Sequence, residues 1–139
     1  MRNTPQFACA ALGMMLMATT QLAPDVFAQS PIKESDSCGF VQDASGAPIA
    51  EASIKAMSGD KTIATAITLS DGSFHLSESK NSRVDLEVSA QGFAAARGSI
   101  DRMHAEDSRK CKHPVYAVLA TGQGHSFITA KKSELPKRK

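Results

Sequence analysis

With 139 residues the chain has room for one small domain and little else. It contains no Trp and a single Tyr, which excludes metal sites that need two tyrosine ligands and leaves few rings on which a sugar could stack. A formal net charge of +2 at pH 7 gives no overall polarity to steer the chain toward an anionic partner, so any such preference has to be local.

In chain order, residues 1–28 read as a signal peptide. Arg2 lies near the amine, an apolar run extends from Phe7 to Ala18, and Val26-Phe27-Ala28 places small side chains where a signal peptidase inspects them, so cleavage is expected after Ala28. The run is shorter than the about 20 residues of a spanning helix, and no later segment is apolar for longer. A soluble periplasmic or secreted protein with no transmembrane segment after cleavage is the expectation. Cys9 follows Phe7-Ala8 and precedes most of the apolar run, which does not suit a lipoprotein.

Loss of the leader leaves Cys38 and Cys111 in an oxidising compartment, where an even pair reads as one disulfide, two unpaired thiols being the alternative. A bridge closing so long a loop is worth roughly 4 kcal/mol in the chain-entropy account. Cys111 is a poor candidate nucleophile, because the nearby His113 is followed by Pro114 and no orienting Asn or Asp is evident.

Residues 29–37 form a polar lead. Beyond it the apolar residues recur with a period of two: Ala52, Ile54 and Ala56 alternate with polar neighbours, and so do Val84, Leu86, Val88 and Ala90. Ile63, Thr65, Ile67 and Leu69 share one side of the segment between them, and Phe74 and Leu76 one side of the next. Ser45-Gly46-Ala47-Pro48, Ser58-Gly59-Asp60, Asp71-Gly72 and Gln91-Gly92 supply turns at matching intervals. Seven strands are predicted, near 38–43, 52–58, 61–69, 73–78, 83–90, 93–100 and 114–120, and residues 101–112 are charged enough to read as a loop. Residues 121–139 hold a possible edge strand, Ser126 to Ala130, and a basic tail. In that tail Lys131, Lys132, Lys137, Arg138 and Lys139 face a single Glu134. They are candidate contacts for an anionic surface, against the plainer reading of a solvated end.

The motifs Gly39-x-Val41-x-Asp43, Gly46-x-Pro48-Ile49, Ala52-x-Ile54-x-Ala56, Ser70-Asp71-Gly72-x-Phe74 and Ala90-x-Gly92-Phe93, in that order, resemble the carboxypeptidase regulatory-like domain over roughly residues 38–100. The resemblance implies an all-β fold, a seven-stranded antiparallel Greek-key sandwich of prealbumin-like type, spanning residues 38–120. In that fold Asp71 and Gly72 would form a hairpin turn, Phe74 and Phe93 would enter the core, and His75 would face solvent.

Such sandwiches serve many functions, so function has to come from the site. Hydroxyisourate hydrolases of the transthyretin-like type end in Tyr-Arg-Gly-Ser, whereas this chain ends in Leu-Pro-Lys-Arg-Lys. Intradiol dioxygenases need two Tyr, and metallocarboxypeptidases carry zinc in a separate large domain. His75, His104, His113 and His125 lack metal-ligand spacing. No catalytic residue, metal or cofactor is therefore expected. The first reading is a module for protein binding or scaffolding in the cell envelope, through an edge strand. A glycan-binding module is the alternative, with Tyr116 and Phe127 as the plausible exposed rings, and a hydrolase comes last. Nucleic acid is not an expected partner.

Overall fold

The computed structural model describes residues 31–76, 82–104 and 111–137. Within them the chain forms nine strands: β1 (Ile32–Asp36), β2 (Cys38–Asp43), β3 (Ser53–Ser58), β4 (Lys61–Ile67), β5 (Ser73–His75), β6 (Ser82–Ser89), β7 (Ala96–His104), β8 (Val115–Leu119) and β9 (Phe127–Thr129). They build two sheets, one in the order β1-β7-β6-β3-β4 and the other in the order β5-β2-β8-β9. Residues 1–30, with the expected leader, lie outside the described residues.

The alternation in the sequence becomes the inside and outside of a sandwich. Ile54 and Ala56 on β3, Val84, Leu86 and Val88 on β6, and Val115, Ala117 and Leu119 on β8 are all buried in one core with Val41, Phe74, Leu76, Ile100 and Met103. Most of the intervening residues of β3, β6 and β7 are polar: Lys55 lies opposite Glu87, Arg97 Nε sits 3.2 Å from Glu87, and the Ser99 hydroxyl donates to Asp85 over 2.6 Å. Phe74 is only 5% exposed, whereas Phe93 packs at the core's margin and is partly buried.

Three expectations need correction. The described residues form nine strands rather than seven, and two neighbouring pairs, β1 with β7 and β2 with β8, run parallel, so the sandwich is not wholly antiparallel. The polar lead is a strand. β1 forms although it holds a single large apolar residue, because its backbone ladders along β7 and its end is tied down. The Asp36 N–H donates to the His113 carbonyl over 2.9 Å, the Asp36 carboxylate accepts the His113 N–H over 2.7 Å, and the Ser37 N–H donates to the His104 carbonyl. Lastly, Asp101 to His104, expected in a loop, continue β7: Met103 turns into the core, while Arg102 and His104 lie 3.3 and 3.4 Å from Glu34 of β1.

The parallel pairing of β2 with β8 depends on a glycine. A Cβ on Gly39 would collide with the Val115 carbonyl oxygen, so only glycine lets the two backbones approach this closely. One residue earlier, Cys38 forms a disulfide with Cys111, joining the start of β2 to the chain just before β8. The bridge expected from the cysteine count is thus present.

Candidate functional site

Asp71 and Gly72, expected to form a hairpin turn, lie in a tight turn. Gly72 has φ 78°, the Leu69 N–H donates to the Ser73 carbonyl and the Gly72 N–H to the Leu69 carbonyl, each over 2.9 Å. Asp71 Oδ1 accepts the Ser73 N–H at 3.0 Å and the Ser73 hydroxyl at 2.5 Å, and these donors hold its carboxyl below the usual carboxylate range. The turn is not a hairpin, however. β4 and β5 belong to different sheets, so it carries the chain across the sandwich. It is pinned there because the Val41 N–H donates to the Gly72 carbonyl at 2.8 Å. The Asp43-x-Ser45 loop beside it repeats the device: Asp43 Oδ1 accepts the Ser45 hydroxyl and the Ser45 and Ala47 N–H groups, which lower its pKa in the same way.

His75 is exposed on the outer face of β5, as expected. Among the described residues no group of three His, Cys, Asp or Glu side chains is placed to hold a metal ion. Lys131, Lys132 and Lys137 are exposed, while Arg138 and Lys139 lie outside the described residues. The described part of the tail is folded back. The Thr129 hydroxyl donates to Glu134 at 2.5 Å, Lys131 lies 3.5 Å from Glu134, and Lys132–Glu134 form a 3-10 turn. Thr129 and Lys131 together hold the Glu134 carboxyl below its usual range. A cleft of about 790 Å³ opens between the edges β1 and β9, lined by Ile32, Glu34, Phe127, Thr129, Lys131 and Glu134 among others.

Two surfaces emerge that the sequence reading did not identify. The first is the outer edge of β4. Thr68, just past the strand, is buried: its hydroxyl donates to the Ile49 carbonyl at 2.7 Å and accepts the Ala52 N–H at 2.8 Å. That clamp sets the parity of the strand. Even-numbered Ala64 and Ala66 face the core, and Ile67 and Leu69 are turned out, 67% and 66% exposed. Ile63 escapes this only because a bulge between the pairs Ala56/Ala64 and Met57/Thr62 rotates it back toward the core. The shared side read from Ile63 to Leu69 is therefore the outer one over most of its length.

The second surface is the outer face of the small sheet. Phe40, 38% exposed, stacks on Tyr116 with ring centroids 6.0 Å apart and planes 18° from parallel. The strand register continues this row from Ser73 through Phe40 and Tyr116 to Thr129. Tyr116 was an expected exposed ring; Phe40 was not, because a strand pattern cannot say which face of Gly39-Phe40-Val41 is buried until Val41 is placed in the core.

The family model of the carboxypeptidase regulatory-like domain matches residues 38–109, and no curated protein matches the chain. The match covers β2 to β7 together with the Asp43 loop, the crossing turn at Gly72 and most of the core. With more than half of its length so matched and a two-sheet sandwich built from those residues, the chain belongs to the carboxypeptidase regulatory-like domain family.

Proposed function

We propose that this chain is a non-catalytic binding module of the periplasm or the cell exterior, which receives a protein partner by strand addition at the outer edge of β4. The compartment is supported by the Cys38–Cys111 disulfide, and by the fact that no helix of the described residues is long and apolar enough to cross a membrane. The family is a regulatory, non-catalytic one. The observation that carries the docking reading is β4 itself: a seven-residue strand at the end of its sheet, bordered by the exposed Ile67 and Leu69. A strand in this position offers unpaired backbone groups to an incoming chain, while its side chains supply selectivity.

The test is capture of a partner from a cell-envelope extract by the wild-type chain and by Thr65→Pro, which removes one backbone donor of β4. Retention that survives high salt and is lost in the variant supports the reading. Retention that salt abolishes, or that disappears only when residues 131–139 are deleted, assigns binding to the basic tail instead.

A second reading rests on the Phe40 and Tyr116 rings, whose near-parallel planes suit the flat face of a sugar. If the outer face of the small sheet binds glycan, polysaccharide raises the melting temperature of the wild type and leaves that of Tyr116→Ala unchanged. No shift across a broad panel removes this reading.

A further inference from the structure

Three of the four sheet edges carry the usual protections against strand pairing. β1 follows Pro31 and contains Lys33 and Glu34, while β5 and β9 are three residues long. β4 is seven residues long, and its protections, Lys61 and the bulge at Ile63, are confined to its first half. From Thr62 to Ser70 it and its extension contain no charged residue, no Gly and no Pro. We propose that the strand it receives is β4 of a second copy of this chain, paired antiparallel about a two-fold axis near Ala66. This rests on the reading of β4 as the docking edge and names its occupant.

The register follows from the backbone. The Thr68 N–H donates to the Ala52 carbonyl and the Thr68 carbonyl accepts the Glu51 N–H, so both groups of Thr68 point toward the β3 side. Antiparallel pairing alternates direction at each residue. Ala66, opposite Ile54, therefore also bonds inward, and the N–H and C=O groups of Thr65 and Ile67 point to the free edge. An axis at Ala66 places Thr65 of each copy opposite Ile67 of the other. All of these outward groups then pair, and a Thr is set against a β-branched Ile on the outer face. Ala66 meets Ala66 at the close, non-hydrogen-bonded position, where small side chains fit. Farther out, past the bulge at Ile63, Thr62 comes opposite Leu69 and Lys61 opposite Ser70, at the turn that carries Asp71, so charges of opposite sign come near each other. An axis one residue away, at Thr65, brings Lys61 opposite Thr68 and moves it away from Asp71.

The contact is isologous and closes on itself. Each copy contributes its β4 edge, two five-stranded sheets become one continuous sheet, and that edge is then closed to a third chain.

The experiment is sedimentation of the purified chain over a concentration series, alone and as Ile67→Lys, with circular dichroism melts to establish that the variant is folded. A mass of two chains, weakened about tenfold or more by the lysine, is expected. Thr65→Cys and Ile67→Cys, mixed under mild oxidation, should form a mixed disulfide faster than either forms a disulfide with itself, because a hydrogen-bonded pair has a Cα separation of about 5.5 Å. A single-chain mass at every concentration overturns the proposal, as does a dimer that Ile67→Lys leaves intact. If the chain is monomeric while Thr65→Pro still abolishes capture of a different protein, strand addition stands and self-pairing falls. If it is a dimer by these criteria and captures nothing, self-pairing stands alone.

Discussion

Gly72 is where one residue does most to hold the fold. Its φ of 78° lies in the left-handed region, and a Cβ there would come within 2.5 Å of the Val41 carbonyl oxygen. Gly72→Val should therefore cost about 1–3 kcal/mol for the backbone alone, with more for the collision, measured by urea unfolding. His75→Ala, two strand positions from the turn but exposed, should leave the midpoint within about 0.5 kcal/mol. Thr68→Val keeps the shape and removes both hydrogen bonds of the buried hydroxyl, so the Ala52 N–H loses its partner, at about 1–3 kcal/mol. Asp43 and Asp71 give the two turns a pH dependence. Their pKa values are lowered in the folded chain, so their contribution is present above the ordinary carboxylate pKa and is lost as pH falls through the folded values. Asp71→Asn should flatten the acid limb of stability measured against pH, and a variant as acid-sensitive as the wild type would contradict this origin.

At the scale of the element, strands with a strong contrast between their two faces were legible and the others were not. β6 alternates Val, Leu and Val with Asp and Glu, and both its existence and its buried face follow from that pattern. β4 sets Ile63, Thr65 and Ile67 against Ala64 and Ala66, a weak contrast, so the period announces a strand without saying which side is in. The decision came from Thr68, whose hydroxyl clamp lies beyond the strand and is a tertiary event. β1 has the composition of a loop, and its partners are some seventy residues away in sequence on β7. Its anchor can be tested directly: Asp36→Ala removes the acceptor of the His113 N–H, and should release β1 with the core intact. Hydrogen exchange should then quicken at residues 32–37 and stay slow at residues 84–88. Equal acceleration in both segments would mean that β1 is part of the global unit.

At the scale of the whole molecule, the one motif set that can be matched to a family lies in the β2 to β7 stretch, and the rest of the sandwich was assembled around it from less marked sequence. β8 and β9 complete the small sheet and β1 extends the large one. The candidate docking edge was less legible than the fold, because an exposed Ile67 and Leu69 look in sequence like any other core residues. The Cys38–Cys111 bridge encloses five of the nine strands, β3 to β7, together with β2, which begins at its first cysteine. Its removal by Cys38→Ser and Cys111→Ser should lower stability by about 4 kcal/mol.

The bridge also sets how the chain would bear a mechanical load. Tension applied at its two ends passes through the sulfurs and bypasses residues 39–110, so only β1, β8, β9 and the terminal segments can be drawn out. In a single-molecule pull the released contour should correspond to residues outside the bridge, and should lengthen by the enclosed segment only after a reductant is added. Under load the covalent tie would thus leave most of the core, and the β4 edge with it, folded while the ends of the chain extend.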